Sequence, residues 1–191
     1  MECSVWEALS AIGTVIAVIV ALSISVHSAR ASGKAEMDRA ELAAAKMLSP
    51  LSSLARKVSE LFAWFAFTDY EPSDSDAKVM KNLDELDALA NSITIEDLYP
   101  LLKLPSHAAK RSARALGLIH TFVNDVRGAI THPSWADIGA TNKAAEYKRW
   151  FEMLSVIKDH LEISVRVCEA SAQSGAPRPT SDEIHANEQG E

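Results

Sequence analysis

The feature that most constrains this chain is an uncharged apolar stretch near its N-terminus. From Ala8 to Val26 it reads ALSAIGTVIAVIVALSISV, nineteen residues without a charged side chain or a proline. A bilayer core of about 30 Å is crossed by about 20 apolar helical residues. The core helix of a soluble protein usually has a polar stripe, whereas this stretch has only scattered Ser and Thr, whose hydroxyls can bond back to the helix backbone. The sequence therefore predicts one transmembrane helix over about residues 6–26, with Trp6 at the membrane interface.

A cleaved signal peptide is the alternative interpretation of this segment. Residues 29–31 read Ala-Arg-Ala, which fits the small-x-small pattern of a cleavage site. A signal peptide, however, begins with basic residues and has a shorter apolar core, whereas Glu2 and Glu7 precede this stretch. We therefore expect an uncleaved anchor inside an N-terminal segment of residues 1–31.

The Lys and Arg residues around the stretch predict its orientation. None precedes it, and four follow it: Arg30, Lys34, Arg39 and Lys46. Because cytoplasmic segments beside a transmembrane helix are enriched in these bases, we expect the N-terminus outside and the C-terminal domain in the cytoplasm. The expected location is the plasma (inner) membrane of a bacterial cell, crossed once.

Small residues recur every four positions along the predicted span, and they form one stripe: Gly13, Ala17, Ala21 and Ser25. In lipid, helices associate through close backbone approach, which small-xxx-small stripes permit. The alternative is that Ala and Ser are simply common here. The stripe predicts helix association and a homo-oligomer formed through the anchor.

The rest of the chain has the periodicity of a helical bundle. From Met37 to Phe65, apolar residues follow spacings of three and four, as in a coiled coil, and Pro50 predicts a bend in this helix. Three further helices are predicted over about 76–91, 106–131 and 141–173. The apolar seam of the last helix is Tyr147, Trp150, Leu154, Ile157, Leu161, Ser164 and Cys168. The predicted fold is all-α: one N-terminal transmembrane helix followed by an antiparallel bundle of about four helices.

Turn and capping signals predict where the segments begin and end. The bundle domain is predicted over residues 32–173, with a loop at Asp69–Ser75 and a disordered acidic tail over residues 174–191. Side chains that favour helix N-caps predict three helix starts, at Thr94 (a capping box with Asp97), at Ser106, and at Thr141 or Asn142.

The charge distribution argues for internal pairing and against DNA binding. The net charge is −7, with eight acids against three bases in residues 71–105 and four bases against Asp125 in residues 106–131. The two neighbouring segments are expected to complement each other inside one fold. An acidic chain does not suit a large nucleic-acid footprint, which needs a basic surface.

No cofactor or metal site is predicted. The two cysteines, Cys3 and Cys168, are far apart and lack the Cys-x-x-Cys or Cys/His spacing of a zinc site. A di-metal site in a bundle needs Glu-x-x-His on facing helices, and the helical histidines have no Glu three residues earlier: His107, His120 and His160. Cys168 is expected to pack as a small apolar side chain.

One short motif carries a catalytic alternative. Residues 127–132 read Arg-Gly-Ala-Ile-Thr-His near the end of a predicted bundle helix. This spacing of Arg127 and His132 resembles the signature of HEPN-type ribonucleases. The resemblance implies that Arg127 would hold an RNA phosphate and His132 would move a proton in a dimeric site. The sequence departs from the family pattern at Gly128, where a polar residue is usual, and at Pro133. The structural alternative is a helix-end base beside a loop histidine.

These observations predict a membrane-anchored bundle that acts by non-catalytic protein–protein interaction, as a scaffold or regulator with an unknown protein partner. The bundle and its acidic hairpin (residues 71–105) would carry recognition. Second is an oligomerising, membrane-perturbing effector of the holin or toxin kind, although an anchor without ionisable residues would line a pore poorly. The third interpretation is the ribonuclease using Arg127 and His132.

Overall fold

A computed structural model of the chain describes the backbone of residues 5–67 and 72–180, and the side chains of residues 14, 16–67 and 76–180. Within this part the chain has no strand and five α-helices: α1 (Val5–Phe67), α2 (Pro72–Asn91), α3 (Ile95–Leu98), α4 (Ala108–Thr131) and α5 (Ala140–Gly175). Short 3-10 turns occupy Tyr99–Lys103, Pro105–His107 and Pro133–Trp135. The all-α prediction is confirmed.

Contacts divide the chain into two units, Met1–Asp38 and Arg39–Glu191. In the first unit, the described apolar side chains of α1 are exposed: Ile16, Val18, Ile19, Val20, Leu22, Ile24 and Val26. The hydroxyl of Ser23 donates to the carbonyl of Ile19 (2.8 Å), as expected for a hydroxyl in an apolar helix. This helix is long and apolar enough to cross a membrane. A signal sequence also meets this criterion of length and composition.

The helices of the second unit run in alternating directions. Between α4 and α5, Ala108 contacts Ser164 and Asp125 contacts Trp150. Residue numbers therefore increase along α4 while those of their contacts in α5 decrease, so the two helices are antiparallel. The same reversed order joins α2 to α4 and α1 to α5, through these pairs: Asp84 with Arg127, Asp87 with His120, Glu41 with Gly175, and Phe62 with Phe151. The second unit is therefore an antiparallel bundle, as predicted.

The predicted seams form the core. Every residue of the α5 seam is buried, including Cys168 and Ser164. In α1 the seam is buried at these positions: Ala40, Ala44, Met47, Leu51, Leu54, Val58 and Leu61. Met37 at its start is exposed, and Phe65 at its end is half-buried. Spacings of three and four place these side chains on one helix face, which is the face that packs.

Aromatic side chains fill the bundle near the end of α1. Trp150 is fully buried, and its ring centroid lies 5.7 Å from that of Trp135 and 5.8 Å from that of Phe65. The indole N–H groups have acceptors, since Trp150 donates to Asp125 (2.8 Å) and Trp135 donates to Asp76 (3.1 Å). Buried Trp needs such a partner for its polar atom, and these residues act as packing anchors.

Two of the three predicted helix starts are wrong. Helix α4 begins at Ala108 without a side-chain cap, because Ser106 and His107 both have left-handed backbone angles (φ 55° and 57°) after Pro105. Helix α5 begins at Ala140, where the carbonyl of Gly139 accepts from the amides of residues 142 and 143. The Thr94–Asp97 capping box is confirmed, with both reciprocal bonds present.

Other boundaries differ by a few residues from the predictions. Helix α2 begins at Pro72, inside the predicted loop Asp69–Ser75, and residues 68–71 lie outside the described part. Helix α1 continues through Pro50, and α5 ends at Gly175, within the predicted tail. Residues 176–180 are exposed, and the remainder of that tail lies outside the described residues.

Candidate interaction surface

A short segment between α2 and α4 is held to the bundle by one buried side chain in every three. The capping box of Thr94 and Asp97 starts helix α3, and 3-10 turns follow it. The buried side chains are Leu98, Leu101 and Leu104. A 3-10 helix has three residues per turn, so this spacing places the three leucines on the same side.

Three other large apolar side chains of this segment are exposed. Ile95 is 57% exposed, Tyr99 is 68% exposed and Leu102 is 50% exposed. Tyr99 and Leu102 are three residues apart and therefore lie on one edge of the 3-10 turn. Single exposed apolar residues are ordinary on protein surfaces, whereas a group of neighbouring ones is a candidate interaction site or ligand groove.

These side chains border an open groove against the start of α4. Its volume is about 240 Å³, and its lining is almost entirely apolar: Ile95, Leu98, Tyr99, Leu102, Ala109, Lys110 and Ala113. A smaller recess of about 60 Å³ adjoins it, bordered by Leu102, His107, Ala109 and Lys110. We call these residues together the α3–α4 groove.

The α4 side of the α3–α4 groove is basic. Helix α4 has no acid in its first turn and no side-chain N-cap, while Lys110 and Arg114 occupy its first two turns. Helix N-termini carry a partial positive charge, which acids normally offset. Here the bases add to that charge, while the acids on the α3 side are Glu96 and Asp97, of which Asp97 is paired with Lys46.

A third base, Arg111, is engaged inside the bundle. Its Nε donates to the carbonyl of Ser106 (2.9 Å), and its Nη1 lies 3.4 Å from Nδ1 of His160. Burial, and then the charges of Arg111 and Arg114, lower the pKa of His160. The hydrogen bond from Arg111 to the carbonyl of Ser106 holds the left-handed turn before α4 in place.

The acidic hairpin is paired with bases of its own chain. Asp84 binds Arg127 (2.8 Å), Asp87 lies 3.4 Å from the ring nitrogen of His120, and Asp97 binds Lys46 (2.9 Å). Two of these three pairs join the acidic segment to the basic segment of residues 106–131. Of these two, Asp84 with Arg127 is an ion pair, and Asp87 with His120 becomes one only when the histidine is protonated.

Buried Lys57 is the centre of another such group. Its ammonium donates to Asn82 (2.7 Å) and Glu85, and it lies 3.5 Å from Glu60. The hydrogen bond and charge of Lys57 lower the pKa of Glu85. These contacts fix α1 against α2, and they leave little of this ammonium for a ligand.

The two residues of the ribonuclease motif have separate partners. The guanidinium of Arg127 donates to Asp84 (2.8 Å). His132 follows α4, and its Nδ1 accepts from the amide of Ser134 (3.2 Å) and lies 2.6 Å from the Ser134 hydroxyl. His132 therefore caps the 3-10 turn Pro133–Trp135, where its ring is exposed.

The small-residue stripe lies on α1. Ala17, Ala21 and Ser25 are exposed along it, while the surroundings of Gly13 lie outside the described residues. Exposure leaves this face available for a second helix.

The described residues contain no group of three His, Cys, Asp or Glu arranged to hold a metal ion. Cys168 is fully buried, and burial raises the pKa of its thiol to about 11. A thiol with so high a pKa is protonated at neutral pH and is a poor nucleophile.

Sequence reasoning missed the α3–α4 groove. The signal was available: residues 95–104 contain six large apolar side chains, begin within the Thr94–Asp97 capping box, include Pro100 and are followed by Pro105. A segment with a three-residue repeat buries the side chains of one side only. The side chains on its other sides must therefore meet a partner or water. In comparisons with protein-family models, with curated proteins and with solved structures, nothing matches the chain.

Proposed function

We propose that this protein is a single-pass, membrane-anchored helical bundle that acts by binding another protein, without catalysis. The observation that carries the proposal is the α3–α4 groove, an apolar depression beside Lys110 with exposed Ile95, Tyr99 and Leu102. The α3 side of this groove is part of the acidic hairpin (residues 71–105), and two acids of that hairpin, Asp84 and Asp97, are paired with bases of the chain itself.

The anchor is supported by the apolar side chains of α1 that no described part of the chain covers. In water such a stretch would expose far more apolar area than soluble proteins do, whereas in lipid it is matched by its surroundings. The bases that follow it, from Arg30 to Lys46, support a cytoplasmic position for the bundle. The stripe from Gly13 to Ser25 supports self-association.

The partner is tested by crosslinking in cells that express the full chain. We expect one specific protein to crosslink to the wild type and to be lost in Leu102→Glu, because a carboxylate in the groove opposes apolar contact. The matched control is Val156→Glu, since Val156 is an apolar side chain of similar exposure (46% against 50%) on α5. Equal crosslinking by both variants would remove the groove from the proposed function.

The two other functions are separated by expressing the wild type, Gly13→Leu and His132→Ala side by side in a bacterial host. A binding protein leaves growth and membrane potential intact. Depolarisation that Gly13→Leu relieves would favour the membrane effector. Toxicity that leaves the membrane potential normal and that His132→Ala relieves would favour the ribonuclease. The ion pair of Arg127 with Asp84 weighs against this function, because an RNA phosphate would have to displace Asp84.

A further inference from the structure

The size of the α3–α4 groove indicates what it holds. Its volume of about 240 Å³ is below the roughly 300–1,000 Å³ of most small-molecule pockets. It is also open along the edge formed by Tyr99 and Leu102, which are both at least half exposed. A shallow, open, apolar groove of this kind suits a few large side chains from one face of a helix.

The charges around the groove indicate which helices fit. Lys110 lines both the groove and the adjoining recess, and His107 borders the recess. Arg114 lies one turn further along α4, and it is exposed. Lys110 and Arg114 form no ion pair within the described residues, whereas Arg111 between them is bound to Ser106. Carboxylates of a partner would complement both bases and the N-terminus of α4.

We propose that the α3–α4 groove binds an acidic amphipathic helix of a partner protein. Apolar side chains of that helix, at spacings of three and four, would pack on Ile95, Tyr99 and Leu102. Its flanking carboxylates would lie beside Lys110 and Arg114. This inference rests on the proposed function and adds the chemistry of the partner to it.

The test uses the full chain in nanodiscs of zwitterionic lipid and two synthetic helical peptides, each about four turns long. Both carry leucines at positions i, i+3, i+7 and i+10 and one photoreactive leucine analogue. One has glutamates beside the leucine face, and the other has lysines there. We expect the glutamate peptide to crosslink within residues 95–114 and to bind about tenfold more tightly than the lysine peptide at low salt, because like charges at an interface oppose binding.

Variants on the rim make the result specific. The double variant Lys110→Glu, Arg114→Glu should reverse the preference between the two peptides, and the milder Lys110→Gln should reduce it. Val156→Glu should leave it unchanged. A thermal unfolding curve for each variant establishes that it is folded. Equal binding of the two peptides, crosslinks confined to other surfaces, or a second copy of the chain seated in the groove would overturn the inference.

The two proposals fail in different ways. If Leu102→Glu removes the cellular partner but the glutamate peptide shows no preference for the groove, the binding function stands and the acidic helix is wrong. If the cellular partner binds Leu102→Glu as well as it binds the wild type, the groove is not the surface that the protein uses.

Discussion

At the scale of single residues, Asp97 joins two parts of the bundle that are distant in sequence. Its carboxylate accepts a hydrogen bond from Lys46 on α1 (2.9 Å) and another from the hydroxyl of Thr94 (2.8 Å). The backbone amide of Thr94 also donates to this carboxylate. The hydrogen bonds from Lys46 and Thr94 lower the pKa of Asp97 from 3.8 to about 2. One side chain thus starts α3, orients the segment that forms the groove, and ties it to α1.

This arrangement predicts a specific dependence of stability on pH. Because the pKa of Asp97 is lower when folded, ionised Asp97 stabilises the fold above about pH 4, and this contribution is lost as the pH falls towards 2. We expect the Tm of the wild type to exceed that of Asp97→Asn at pH 6, and the difference to shrink between pH 4 and 2. Thermal unfolding followed by circular dichroism measures it.

Lys46→Met provides the companion measurement, since it removes the first of the groups that lower the pKa of Asp97. In a chain that carries Lys46→Met, the substitution Asp97→Asn should lower the Tm at pH 6 by less than it does in the wild type. A difference in Tm that stays constant from pH 6 to pH 2 would contradict the role assigned to this carboxylate.

At the scale of elements, α5 contributes one complete buried face to the bundle. Leu154 is fully buried on this face, while Val156, two residues later, is 46% exposed. Two positions along an α-helix correspond to about 200° of rotation, so neighbouring side chains of similar chemistry meet opposite environments. The helix therefore contains its own matched control.

We expect Leu154→Ala to lower the free energy of unfolding by about 2–5 kcal/mol, because it leaves a cavity in a closely packed core. Val156→Ala should change it by less than about 0.5 kcal/mol, as is usual for exposed positions. Chemical denaturation of the full chain in mild detergent checks both values. Similar effects of the two substitutions would contradict the burial of this face of α5.

At the scale of the whole molecule, the chain joins an apolar helix with exposed side chains to a bundle with a well-filled core. The bundle buries its seams within one chain, whereas Ala17, Ala21 and Ser25 on α1 have no such cover. Self-association through α1 would bring two bundles, and hence two α3–α4 grooves, into one particle. Two linked sites bind a multivalent partner more tightly than either site alone.

Self-association of the anchor is tested by Ala17→Leu, which adds bulk to the small-residue stripe. We expect it to weaken association about tenfold, because close approach of two helix backbones depends on small side chains. Ile19→Leu, on a different face of α1, conserves volume and should leave association unchanged. Energy transfer between labelled chains in lipid vesicles measures both. Equal behaviour of the two variants would place the contact elsewhere or show that none exists.

Local patterns in the sequence determined the all-α class, the helices and most of the core. The seam from Ala40 to Leu61 and the seam of α5 were both readable, because helical periodicity acts between residues three or four apart. The capping box of Thr94 and Asp97 was equally local. The start of α4 was not readable from local patterns, since Ser106 and His107 are left-handed and Arg111 donates back across that turn to the carbonyl of Ser106.

Only the tertiary structure decided which charges are paired within the fold and which apolar groups stay exposed. Asp84 neutralises Arg127 across 43 positions of sequence, and Lys46 meets Asp97 across 51. The sequence shows that Ile95, Tyr99 and Leu102 are apolar. Their exposure, however, depends on where the start of α4 lies beside them. Burial is a property of all neighbours in space, whereas periodicity records only neighbours along the chain.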